Sequence, residues 1–454
     1  GFISGVGLLR LEEERIVGLD FGDSYSLDNR NVPHPPPPEP LTRYMQAGMW
    51  VLRDVNWSPD FPTTARAAEE LYKLDQGVEV DGVIAVDLTA LRYTLEATGP
   101  IELATYSRQV DAANVQALLQ HYWAAPLDSA PVTDREESDW WNHRKDFMGE
   151  LFKAIASYLE TKLMGTKPLE TKLAAGLLRA WERGLREKHI LIYLNEPTVA
   201  TLLAENDWDG ALQRPAGDYL LVVDANVGFN KVNANIEEEI EYRVILKEGR
   251  TLGQVTLLYR NRSAPRPQEC IQEPRYQDTY PEMMEACYWD YVRLYVPQGG
   301  QLVAFEHNLE EAELADVFKE EDKEVFAAFF VLPAGQEGHL SFTYELPAAI
   351  RPSDEYNLLV QKQPGTAAIP LRVRVEVEGQ RLLQTVAPTL RQENGAVEYQ
   401  GSLRTDQHLR VMFAEERGRR QWGDPRLWVA LGGLTLLSGI QVLILLKVDK
   451  IFAP

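Results

Sequence analysis

Three groups of residues have types and spacings that could do chemistry. The first is residues 52–62, LRDVNWSPDFP. Arg53 can grip a phosphate or carboxylate through two parallel hydrogen bonds. Asp54 and Asp60 offer hard oxygens for a divalent cation such as Mg²⁺, and Asn56 can orient a ligand. The structural alternative is that Arg53 pairs with an aspartate, Asn56 caps a turn and Trp57 packs. The second group is residues 224–235, with Asp224, Asn226, Asn230 and Lys231 placed just after an apolar run. Ligands of open α/β sheets bind beyond the carboxyl ends of strands, although asparagines also simply build turns. The third is the cysteine pair Cys270 and Cys287, which flank a segment rich in Pro, Glu and Tyr. A disulfide there would close a loop with few apolar residues to hold it. Two buried thiols are the alternative.

Composition removes several classes. Asp plus Glu number 68 against 46 Lys plus Arg, a formal net charge of −22. Such a surface repels phosphate backbones, so nucleic-acid binding is not expected. An anionic ligand would need a basic pocket working against the global field. With two cysteines and seven scattered histidines there is no zinc-type spacing. P-loop, dinucleotide-binding, zinc-peptidase and nucleophile-elbow motifs are absent.

The elements that must position these residues follow from periodicity. Residues 5–11 and 16–20 read as a hairpin about a charged turn. Residues 32–40, VPHPPPPEP, form a polyproline stretch: a surface loop, or a partner-binding segment. A helix is expected over 63–74, capped by Thr63 or Thr64, then a buried strand at 81–87 and a helix at 88–97. Helical pattern runs from about 111 to 189, broken near 126–133 and at Pro168, and strands at 189–194 and 219–223 flank a helix at 197–205. This rhythm predicts an α/β domain over residues 1–235. Beyond 235 the period becomes two, and strands at 240–246, 255–259, 340–346 and 371–378 predict an antiparallel sandwich over 236–412. The acidic residues 306–324 read as a solvated loop or short helix within it.

Residues 413–426 are basic, and residues 427–446, LWVALGGLTLLSGIQVLILL, carry no charge over a bilayer-spanning length. They predict one C-terminal transmembrane helix flanked by Trp422, Arg426, Trp428, Lys447 and Lys450. Charge bias across it puts the folded mass in the cytoplasm; the cysteine pair favours the extracytoplasmic side, which is the expectation adopted. The chain opens on Gly1, so an upstream segment is expected.

The runs WVLRDVNWSPDFPTTARAAEELY, DGVIAVDLTALRYTLEATGPIEL, DANVGFNKVNANIE and CYWDYVRLYVPQGG strongly resemble the bacterial domain of unknown function 4012 (DUF4012). The opening Gly-Phe-Ile-Ser is similar to the end of that family's Arg-Pro-Thr-Gly-Gly-Phe-Ile motif. The second run is also distantly similar to the LytR-CpsA-Psr proteins, membrane-anchored enzymes that move glycopolymers from a polyprenyl-phosphate lipid to the cell wall. That resemblance implies a LytR-CpsA-Psr-like α/β fold. It also implies a cell-envelope setting and a polyprenyl-phosphate glycolipid or cell-wall polymer as partner. Arg53, Asp54 and Asp60 would then lie near the active cleft. The family's Arg-Asp motif is matched most nearly by Asp28 and Arg30 in SLDNR. Two functions stay open: phosphotransfer of envelope glycopolymers, or non-catalytic binding at the cell surface.

Overall fold

The computed structural model describes residues 2–13, 15–127, 140–163, 171–247, 249–265, 270–273, 280–350, 355–377, 382–385, 390–393, 396–414 and 441–449. The fold is mixed α/β at the start of the chain and built of β-sheets in its C-terminal part.

A five-stranded sheet organises the first part. The hairpin forms as expected: Ile3–Glu12 pairs antiparallel with Arg15–Asp23. Gly82–Asp87 and Ile190–Leu194 form the other side. Between the two pairs lies Gln441–Asp449, parallel to Ile3–Glu12 and antiparallel to Gly82–Asp87. For residues 441–446 this differs from the membrane-helix reading. Residues 441–446, the last part of the uncharged run, are a strand in the middle of a sheet. A central sheet strand can carry the same unbroken apolar run as a membrane helix. Residues 427–440 lie outside the described residues. Among the described residues no helix is long and apolar enough to cross a membrane.

Helix Phe61–Gln76 covers this sheet with Phe61, Ala65, Ala68, Leu71 and Tyr72, which pack against Ile3, Val6, Leu8, Val83 and Leu191. Its cap is Asp60 rather than Thr63 or Thr64: Asp60 Oδ2 accepts from the Thr63 amide at 3.1 Å and the Thr63 hydroxyl at 2.7 Å. Helix Leu88–Thr98 is capped by Asp87 and ends at Gly99, whose φ of 75° suits glycine. Further helices Val115–Ala124, Asp146–Leu163 and Thr171–Arg186 stack beside it. Phe147, Leu151 and Ile155 of the second pack on Leu95, Leu103 and Leu119.

Two seven-stranded sheets form the sandwich. Its core takes Ile240, Tyr242, Val244 and Leu246 from one sheet and Val292, Leu294, Phe326 and Phe330 from the other. Burial of alternate residues explains the period of two read in the sequence. Three features differ from expectation. Asp218–Val223, placed in the α/β domain from sequence, pairs with Tyr288–Pro297 and Glu355–Gln361 inside the sandwich. An all-apolar strand looks alike in either setting. The sandwich is also not purely antiparallel, because Ile236–Lys247 runs parallel to Ile369–Val377. Part of the acidic stretch is neither loop nor helix: Glu311–Glu320 is an edge strand that turns Glu311 and Glu313 to water, while Asp316 accepts from Arg43 and Tyr291, and Glu320 from Ser58 and Tyr295.

Candidate functional site

The first group of residues is brought together only in part. Arg53 Nη1 donates to Asp28 Oδ2 at 2.5 Å, and its Nε lies 3.8 Å from Asp54. So Asp28, Arg53 and Asp54 meet, while Arg30 is exposed at the rim. Burial pushes the Asp54 carboxyl up to about 6 against the pull of Arg53. One buried oxygen on each of Asp28 and Asp54 has no partner. Asp60 stands apart. Besides capping its helix it accepts from the Leu212 amide at 3.0 Å, so both oxygens already receive donors. A cation would have to displace those donors, and the Asp54–Asp60 pair therefore does not fit Mg²⁺. Among the described residues no group of three or more His, Cys, Asp or Glu is set to hold a metal ion.

The second group faces a cavity of about 970 Å³ between the α/β part and the sandwich. Asp224, Asn226, Asn230 and Lys231 all line it. Here the turn-building role of asparagine and the site coexist. Asn226 Oδ1 accepts from the Gly228 amide at 2.8 Å, and Asn226 Nδ2 donates to Asn230 Oδ1 at 2.9 Å. Asn230 Oδ1 also accepts from Val232 N, and its Nδ2 donates to Cys287 O at 2.9 Å. A Cβ at Gly228 would come within 3.0 Å of Asn226, Asn230 and Trp289, which explains the glycine. This knot presents Lys231 to the cavity. Asp54 and Asn56 line a smaller adjoining space of about 140 Å³ that shares Asp224 and Asn226 with the large one.

Two further cations complete that wall, and sequence reasoning missed both: Arg144 and Lys145. Arg144 donates to Asp23 Oδ2 at 2.6 Å and stacks over Trp141 at 4.0 Å and Tyr25 at 4.8 Å. Tyr25 in turn carries Arg53 at 4.6 Å, so Arg53 stands one ring away from the cavity. Lys145 donates to the Ser4 hydroxyl at 2.6 Å. Lys231 lies 5.3 Å from the Tyr280 ring centre. A hydroxyl and a ring face hold the two lysines where carboxylates usually would. Neither lysine has an ion pair among the described residues. Burial lowers Lys145 to about 7, with Lys231 and Arg144 adding to the effect and Asp23 opposing it. Burial likewise takes Lys231 to about 8, helped by Arg144. The signal available in the sequence was the run Trp140-Trp141-Asn142-His143-Arg144-Lys145, aromatic rings directly beside paired cations.

The sandwich adds a carboxyl cluster to the same cavity. Asp224 and Glu238 line it, and Asp290 lies fully buried behind them. Burial raises all three carboxyls above their usual range, and Asp224 pushes both neighbours further. Tyr259 donates to Asp224 Oδ1 at 2.7 Å. Such a cluster keeps protons near neutrality. At the far end, Glu187 accepts from Tyr93 at 2.7 Å and Arg183 at 3.0 Å, so the charges there are balanced.

Cys270 and Cys287 form a disulfide, with Cα atoms 5.6 Å apart. It points to an oxidising, extracytoplasmic setting.

No curated protein matches this sequence. Slight structural similarity exists to a putative nutrient-binding protein of Legionella pneumophila (7% identity, TM-score 0.27, covering 43% of this chain and 71% of that one). An M1 zinc metallopeptidase of Deinococcus radiodurans gives 15% identity and a TM-score of 0.23, covering 39% of this chain and 42% of that one. Leukotriene A4 hydrolase of Saccharomyces cerevisiae gives 5% and 0.24, covering 41% and 30%. Similarity this slight assigns neither fold nor function. Residues 1–122 match the model of a family described as "Protein of unknown function (DUF4012)", which supports the DUF4012 resemblance over that stretch.

Proposed function

We propose that the protein is an extracytoplasmic binding protein that holds the phosphate of a polyprenyl-linked glycopolymer in the cavity between its two parts. One observation carries the reading. Arg144, Lys145 and Lys231 line one cavity, and among the described residues a single carboxylate, Asp23, is paired to them. In a chain of net charge −22 this local excess of buried positive charge is costly unless an anion occupies the space. The similarity of residues 81–103 to the LytR-CpsA-Psr proteins supplies the ligand class and the cell-envelope setting. Phe2, Ile3 and Ser4, from the motif that carries the DUF4012 resemblance, line the same cavity.

Binding is favoured over transfer because the residues first expected to be catalytic are occupied otherwise: Arg53 by Asp28, and Asp60 by its helix and Leu212. Transfer is the second reading. Asp224 and Glu238, whose carboxyls burial raises in the same cavity, favour it, since such a pair can accept a proton from an attacking hydroxyl. The test is lipid extraction from protein purified out of its own envelope, followed by mass spectrometry. Wild-type protein carries a polyprenyl-phosphate species, and the Lys145→Ala/Lys231→Ala variant does not. Wild-type protein without such a lipid, and with no affinity for inorganic pyrophosphate, would sink the proposal. Pyrophosphate-bond cleavage that Asp224→Asn abolishes would move the conclusion to transfer.

A further inference from the structure

The residues around the disulfide do more than close their own loop. Two limbs meet at Cys270–Cys287, and each grips a different part of the cavity's frame. On the first limb, Gln272 Nε2 donates both to Tyr44 O at 2.8 Å and to Val227 O at 2.9 Å. Tyr44 belongs to helix Glu39–Met45 of the α/β part, and Val227 to the asparagine knot on the sandwich. One side chain therefore pins the two parts together. On the second limb, Met283 O accepts from the Lys231 amide at 2.8 Å, and Cys287 O accepts from Asn230 Nδ2 at 2.9 Å. The same limb carries Tyr280, which packs on Trp123 of the α/β part with ring centres 5.3 Å apart and lies beneath Lys231.

We infer that the Cys270–Cys287 bridge is a redox-controlled clamp: it ties the Gln272 pin to the limb that seats Lys231, and so sets the anion-binding wall. The inference deepens the binding function proposed above and rests on it only for the ligand. Joining two chain segments matters most where few apolar contacts hold them. Ile271 and Glu273 are exposed, and the residues Cys270 and Cys287 are half-buried, so the bridge is not sealed in the core. The switching step balances simply. A dithiol attacks one sulfur of the bridge, resolves the mixed disulfide with its second thiol, and leaves two protein thiols and an oxidised dithiol. After reduction the limbs are joined only through the intervening chain. The hydrogen bonds to Val227, Asn230 and Lys231 then open independently.

The test compares the full chain oxidised, reduced with dithiothreitol, and as Cys270→Ser/Cys287→Ser. Amide hydrogen exchange is read at residues 226–235 and 39–47, and inorganic pyrophosphate binding by calorimetry. The clamp requires about tenfold or greater acceleration of exchange in both segments. Strand Tyr288–Pro297 should keep its protection, and pyrophosphate affinity should fall at least about tenfold. Reoxidation should restore both. Unchanged exchange in the two segments, with both thiols shown to be free, overturns the clamp. So does a loss of protection throughout strand Tyr288–Pro297, which would make the bridge a general staple of the sandwich. If pyrophosphate binds neither form, the proposed function fails, and the exchange data alone then support or overturn the clamp.

Discussion

Replacing Lys145 by methionine should make the empty protein more stable and unable to answer to its anion. Burial lowers the Lys145 ammonium from 10.5 to about 7. One unit is worth about 1.4 kcal/mol, so at pH 7 the charge costs the fold at most about 4 kcal/mol. Relaxation and water penetration reduce that to about 2 kcal/mol. Methionine keeps most of the aliphatic stem but loses the hydrogen bond to Ser4, worth about 1 kcal/mol. The net expectation is a gain of about 1 kcal/mol, or a rise in Tm of about 2–4 °C. The sign follows from a depressed lysine. The unfolded chain holds its proton up to about 10.4. The cost is therefore full below about pH 7 and fades as pH rises from there, because the folded state can shed the proton. The gain from Lys145→Met should shrink accordingly between pH 7 and 10. Thermal melts with and without inorganic pyrophosphate provide the assay. At about a hundredfold excess over Kd, ligand should stabilise wild type by about 2.7 kcal/mol and leave the variant nearly unmoved. A variant that melts lower than wild type at pH 7 and still shifts fully with pyrophosphate would refute the reasoning.

Three other outcomes follow from the same structure. Pyrophosphate affinity should fall as pH rises through about 7 and about 8, where Lys145 and Lys231 lose their protons in the free protein. Calorimetry in buffers of different ionisation enthalpy should show proton uptake on binding there, and an affinity flat from pH 6 to 9 would count against the cationic wall. Arg53→Ala should cost about 3 kcal/mol in urea unfolding by stranding the buried Asp28 carboxylate. Pyrophosphate affinity should change little, whereas a large loss of affinity with little loss of stability would return Arg53 to the binding site. Truncation after residue 440 should deprotect Ile3–Glu12 and Gly82–Asp87 to hydrogen exchange, because the strand between them is removed. Unaltered protection in the truncated chain would restore the membrane-helix reading of the apolar run.

How far the site was legible depends on what each residue's signal requires. Asp224, Asn226, Asn230 and Lys231 were legible because a polar cluster after a buried strand is a local pattern, and they do face the cavity. The strand itself belongs to the sandwich, so the cluster was read beside the wrong sheet. Asp28, Arg53 and Asp54 were recognised as types, but a single sequence does not say whether an arginine faces a ligand or an aspartate. The distance of 2.5 Å to Asp28 decides it. Asp60 was ambiguous because a helix cap and a metal ligand draw on the same carboxylate.

By itself, the sequence determined the acidic surface, the hairpin, the change of period from helical to alternating near residue 235, and a cysteine pair suited to a bridge. These are set by composition or by neighbours within a few residues, where periodicity and turn chemistry act. The tertiary structure alone decided the rest. It brought Arg144 and Lys145 to the same cavity as Lys231 across about 90 residues of chain, and made the charge of the two lysines expensive by burying it. It also set Gln441–Asp449 between strands from the opposite end of the chain. An uncharged run says only that a segment avoids water. Whether a bilayer or a neighbouring strand covers it is settled by which backbone groups remain to be paired, and Ile3–Glu12 and Gly82–Asp87 each offer it a free edge.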